Sequence, residues 1–157
     1  MTWRGSTTVR DRIFACLPYL LPLIDGFAFG NKYLFAQFPV LQLFYLPLVP
    51  LMQIYSLPFA SLVIFFALYL GVVRNENISH FIRFNAMQAI LLDIVLMLCD
   101  LVLRIFEGPQ VAFIAETLYN MVFLGAFAAF VYAVVQSLLG RYAEIPPLSD
   151  AVYMQVR

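Results

Sequence analysis

From Tyr33 to Val73 this chain carries no charged residue. One continuous helix of that length would reach about 61 Å at about 1.5 Å per residue, twice the roughly 30 Å hydrocarbon core of a bilayer. The stretch must therefore be broken, and the breakers are Pro39, Pro47, Pro50 and Pro58. After Pro58 the run FASLVIFFALYLGVV is an uninterrupted apolar span that ends at Arg74. Composition removes the soluble alternative. Of 157 residues, 64% are hydrophobic and 11% charged, whereas soluble domains are roughly 45–50% apolar and roughly 25% charged. A domain this small cannot hide so much apolar surface from water, so the solvent for most of it is lipid.

The remaining segments follow from the same logic. A polar arm, 1–12, precedes a first apolar segment, 13–29, which holds Asp25 and is bent by Pro18 and Pro22. Spans are also expected at 57–73, 84–103 and 111–139, followed by a polar tail, 141–157. Residues 33–55 are ambiguous between a further span and a segment lying at the interface. Eight aromatics between Phe27 and Tyr55 favour the interface, because Tyr prefers headgroup level and the prolines free backbone carbonyls that lipid does not satisfy.

Loop charge tests the count. With four spans, Arg4, Arg10, Arg12, Arg74, Arg83, Arg141 and Arg157 share one side and Lys32 and Arg104 the other, 7 against 2. With 33–55 as a fifth span the split is 4 against 5. The excess of Arg on cytoplasmic loops selects four spans, with both termini on the cytoplasmic, stromal or equivalent side. The expected fold is an all-α polytopic membrane protein, four transmembrane helices with a proline-broken interfacial segment between the first and second. The first segment does not match a cleavable targeting sequence.

The third span carries the chemistry. Asn85, Asp93, Asp100 and Arg104 project within about 100° of one another on a helix, and Glu107 continues the stripe. A carboxyl near the midplane, as at Asp93, costs several kcal/mol unless paired or neutralised, by roughly the scale of intramembrane charges. Such a group either lines a pathway or fastens helices together through hydrogen bonds. Asp100 and Arg104, at i,i+4, fit a local ion pair with Arg104 snorkelling to the interface. Asp25, Asp100, Glu107 and Glu116 read as a solvated rim, since their spacing matches no metal site. His80 stands alone in a polar loop, Ser56 and Ser61 lack a paired base, and Cys16 and Cys99 read as free thiols in apolar runs. The sequence therefore predicts no catalytic residue, no cofactor, no metal and no nucleic-acid partner. Gly125, Ala129 and Ala133 form a small-residue face that permits close helix approach, including self-association.

The stretches FPVLQLFYLPLVPLMQIYSLPFASLVIFFALYLGVVRN and ISHFIRFNAMQAILLDI, with RDRIFACLPYLLPLIDG before them, resemble a known family. It is that of the twenty-kilodalton subunit of the translocon at the inner envelope of chloroplasts, in its cyanobacterial or plastid-encoded form. The resemblance covers about 10–140, and its signature is Arg83, Asn85, Gln88 and Asp93 in order within an apolar helix. It implies four transmembrane helices with stromal termini and no catalytic residues. It also implies a subunit of a protein translocation apparatus, channel-forming with partners. The expected partners are membrane lipid, other membrane subunits and translocating polypeptides. The expected location is a cyanobacterial plasma or thylakoid membrane or the plastid inner envelope. Two other readings stay open on the residues alone: an assembly subunit of a larger photosynthetic membrane complex, and a small-solute or ion transporter with Asp93 as coupling group.

Overall fold

The computed structural model describes residues 6–156. Arg4 and Arg157 of the charge tally, and the first five residues of the polar arm, lie outside the described residues. Among the described residues the regular elements are helices, with no strand. The first helix, α1, is Val9–Lys32. It begins early because Thr8 and Asp11 form a reciprocal cap: Asp11 N donates to Thr8 Oγ1 at 3.2 Å and Thr8 N to Asp11 Oδ2 at 3.0 Å. It tightens into a 3-10 turn at Leu17–Tyr19, where Pro18 has no N–H to give. After a short turn, Leu34–Gln37, α2 is Pro39–Tyr55. Its first part, Pro39–Leu48, is 3-10 with Pro47 inside it.

Helix α3 is Ala60–Val73 and meets α2 at 99°. The corner is Phe59, held in the left-handed region at φ 63 directly after Pro58. The last turn of α3 is wide: Arg74 N reaches back five residues to Tyr69 O at 3.0 Å. Helix α4, His80–Leu103, opens on Ser79, whose Oγ accepts from Ile82 N. Helix α5 is Pro109–Leu138. It closes in a Schellman motif, with Gly140 N on Ser137 O at 3.0 Å and Arg141 N on Gln136 O at 2.9 Å. Gly140 takes φ +73, and a Cβ there would lie 2.6 Å from Thr7 Oγ1. The polar tail folds back and contains a further helix, α6, Leu148–Gln155.

Contacts at the two ends of the bundle give the layout. At one end Arg12 Nη1 donates to Leu138 O, Arg83 Nε to Val73 O, and His80 meets Tyr142 and Val156. At the other end Lys32 pairs with Glu107 at 2.6 Å and Gln37 Nε2 donates to Glu116. The chain thus runs away from the first end in α1, returns in α3, leaves again in α4 and returns in α5. Both ends of the described chain lie together.

By length and composition, α1 and α5 are each fit to cross a membrane, and α2 with α3 adds a third span if the bent pair is one. The expected count of four is not reached on that criterion. Helix α3 alone extends about 21 Å at about 1.5 Å per residue, less than a bilayer core. Helix α4 is long enough, but its first half, from Phe81 to Ile90, is enclosed by protein.

The core has three parts. At the far end Phe35 meets Phe123 edge-on with ring centroids 5.1 Å apart, and Phe27 meets Tyr45 at 4.9 Å. Gly30 makes room for this cluster, since a Cβ there would lie 2.8 Å from Phe123. At the near end Val73, Phe84, Met87 and Ile90 pack with Val152 and Val156 of the returning tail. Between them Ala89, Ala133 and Ala143 surround Tyr19. The small residues of α5 meet different surroundings along that face: Ala133 is buried in this core, whereas Gly125 is exposed with open space beside it.

Candidate functional site

The polar residues of α4 occupy three different places. The first is a buried knot near the end where the termini meet. Tyr19 donates its hydroxyl to Asn85 Oδ1 at 2.8 Å, and Ser137 Oγ donates to the same oxygen at 3.1 Å. Asn85 Nδ2 donates to Phe81 O at 2.8 Å. Gln88 Nε2 donates to the Tyr19 hydroxyl at 2.9 Å and to Ala143 O at 2.5 Å. Tyr19, Asn85, Gln88 and Ser137 are fully buried. One set of bonds therefore locks α1, α4, α5 and the tail in register. Beside it the buried Arg83 reaches Val73 O at 2.8 Å, satisfying a carbonyl that the wide turn of α3 leaves open.

The second place is a cavity of ≈ 730 Å³ between α1, α3 and α4, with Tyr55 of α2 at its edge. Asp93 faces it from α4 and Asp25 from α1. The Tyr55 hydroxyl donates to Asp25 Oδ2 at 3.1 Å. The two carboxyls stand against each other, and Asp93 Oδ1 is buried with no hydrogen-bond partner. Carboxyls that face an apolar cavity are costly there unless paired or neutralised. Asp25 was expected on a solvated rim with Glu107 and Glu116. The structure corrects that, because α1 turns this face toward α4 and Tyr55.

The third place is the far end. Arg104 Nη2 pairs with Asp100 Oδ2 at 2.9 Å, and both residues sit at the open end of the cavity. Glu107 is held by Lys32 and by the Tyr119 hydroxyl, 3.0 Å away, and these keep its carboxyl below the ordinary range. Among the described residues no group of three or more His, Cys, Asp or Glu is placed to hold a metal. His80 contacts the tail through Tyr142 at 2.9 Å. Cys16 and Cys99 are free thiols.

Sequence reasoning identified Asn85, Asp93, Asp100 and Arg104 as one stripe but missed the partners that divide it. The signal for Tyr19 was present: a hydroxyl in the middle of an apolar run between two prolines needs an acceptor. Ser137 and Ala143 carried no local signal.

Residues 8–152 match the family model described as "Chloroplast import apparatus Tic20-like". The chain belongs to the Tic20 family. It is 56% identical to a Tic20 family protein of Synechocystis sp., over 100% of this chain and 99% of the relative. It is 41% identical to Protein TIC 20-II, chloroplastic, of Arabidopsis thaliana, over 99% of this chain and 78% of the relative. The Tic20 family protein Ycf60 of Porphyra purpurea is 33% identical over 99% and 80%. Within this Tic20 chain the four residues on which the resemblance was drawn are divided by place. Arg83, Asn85 and Gln88 tie helices together, and Asp93 faces the cavity.

Proposed function

We propose that this chain is a membrane-embedded subunit of a protein-import translocon of the type its relatives are named for, acting at the inner envelope of a plastid or in a cyanobacterial membrane. The observation that carries the reading is the match to an import-apparatus family over nearly the whole chain, with 41% identity to a chloroplast TIC 20 protein. The relatives' names favour it over an assembly subunit of another complex or a small-solute transporter. Partners follow from it: other membrane subunits and polypeptides in transit.

The topology proposed is four crossings, α1, α3, α4 and α5, with α2 lying across the far end of α3. The 99° corner at Phe59 and the alternating directions of the helices support it. The clustering of Arg10, Arg12, Arg74, Arg83 and Arg141 toward the end where the termini meet supports a cytoplasmic or stromal placement of that end. The cavity bearing Asp25, Tyr55 and Asp93 is proposed as the polar surface that a passing polypeptide meets, and the Asn85–Gln88 knot as the brace that holds its walls.

Photo-crosslinking in the native membrane tests this. A photoreactive residue replacing Met97, at the cavity wall, is expected to capture a precursor arrested in transit, and one replacing Met154, on α6, is not. Depletion that leaves precursor translocation and membrane insertion unchanged would refute the reading.

A further inference from the structure

A second cavity, of ≈ 660 Å³, lies on the other side of Leu21 from the carboxyl pair. One wall is α1 from Arg10 to Leu21. The other is Leu68 and Val72 of α3, the loop at Asn77 and Ser79, and Ile82 of α4. Its interior is apolar and its mouth is polar. At the mouth the Arg10 guanidinium lies over the Phe14 ring, 5.7 Å from the centroid, and no ion pair among the described residues holds it. Asp11 shares the mouth, but its Oδ2 is committed to Thr8 N in the helix cap.

The depth of the groove identifies its occupant. From Arg10 to Leu21 along α1 is about 16 Å at about 1.5 Å per residue, about half of the roughly 30 Å bilayer core. A cation at one end and apolar walls over about the depth of one leaflet, with Leu51 of α2 also in the lining, match the dimensions and polarity of one lipid. We propose that this groove is a binding site for an anionic phospholipid of the leaflet on the side of the chain ends. Its phosphate would meet Arg10 and its acyl chain would lie between α1 and α3. Val72, in the wide last turn of α3, stands in the groove wall. Arginine suits the headgroup because its planar fork bonds phosphate oxygens two at a time.

The inference rests on the membrane reading of the protein and not on its role in import. The test is native mass spectrometry of the full chain, released from nanodiscs of phosphatidylglycerol and phosphatidylcholine in equal amounts. The expected result is retention of one phosphatidylglycerol in preference to phosphatidylcholine. Arg10→Gln is expected to lower that preference about tenfold, on the scale of one charge-assisted phosphate contact. Arg10→Lys should keep much of the preference and Arg104→Gln, at the far end, all of it. Val72→Trp should fill the groove and reduce retention of either lipid. Equal retention of the two lipids by the unaltered protein, or a preference unmoved by Arg10→Gln, would overturn the proposal. A protein that failed to enter nanodiscs would instead refute the membrane reading.

Discussion

At the scale of single residues, the buried amides of α4 and the terminal glycine of α5 carry most of the specificity. A hydrogen bond between helices in a membrane averages about 0.6 kcal/mol, so the knot around Asn85 fixes register more than it adds stability. Removing one member is another matter, because it strands the others. Asn85→Ala leaves the Tyr19 and Ser137 hydroxyls without their acceptor, at a cost of about 1–3 kcal/mol each for an unpaired buried group. Denaturation in mixed micelles should show that loss. The double change Tyr19→Phe with Asn85→Leu should cost less than the sum of its parts. Gly140→Ala should also destabilise, by about 1–2 kcal/mol for the left-handed backbone and more for the contact with Thr7. A melting temperature equal to that of the unaltered protein would contradict the Schellman closure. The residue types were legible in the sequence, since Asn85, Gln88 and Asp93 stand out in an apolar helix. Their partners were not, because Tyr19 and Ser137 are 66 and 52 residues away from Asn85, and no local pattern encodes that pairing.

At the scale of elements, the prolines and charges told where helices break but not how the pieces pack. Pro58 marked the corner before α3, and the structure puts the strain one residue later, at Phe59. Phe59→Gly should relieve that left-handed strain and stabilise by about 1 kcal/mol, read as slower proteolysis between α2 and α3. An unchanged or faster cleavage would place the constraint elsewhere. The tail, 141–157, was read as polar. Ala143, Val152 and Val156 of this tail nevertheless bury, against Tyr19 and α4, and Ser149 buries with them. At the far end, Glu107 ties α1 to the turn between α4 and α5 through Lys32 and Tyr119. Its carboxyl is held below the ordinary range, first by the bond to Lys32. A group depressed on folding contributes stability above its unfolded value, near about 4.3 for Glu. That contribution is lost as the pH falls through the lower folded value. Below about pH 4 the Lys32–Glu107 tie should therefore weaken, and Glu107→Gln should remove the acid dependence. The effect will be small and salt-sensitive, because both groups are exposed.

At the scale of the whole molecule, the arrangement joins two requirements that pull apart. A subunit that handles polypeptide needs polar surface inside lipid, yet lipid penalises every unpaired polar group. This chain separates the two along α4. The near half is closed, with Asn85 and Gln88 bonded to three other segments. The far half is open, with Asp93 and Asp100 on a cavity whose outer wall, α3, buries no residue before Val73. That wall is joined to α4 by the bond from Arg83 to Val73 O and by the packing of Phe65, Leu68, Tyr69 and Val72 on the near-end core. Surface labelling tests the topology this requires. In a chain with Cys16 and Cys99 changed to Ser, single cysteines replacing Thr8, Asn77 and Arg141 should react with an impermeant maleimide from one face of the membrane. A cysteine replacing Gly108 should react from the other. Five spans would put Asn77 on the face opposite Thr8, and that one result would separate the N-terminal cap from the loop it shares a groove with. The charge balance predicts the face: five of the arginines gather toward the end near Thr8, and Lys32 and Arg104 lie at the end near Gly108. The Thr8 face should therefore be the cytoplasmic or stromal one.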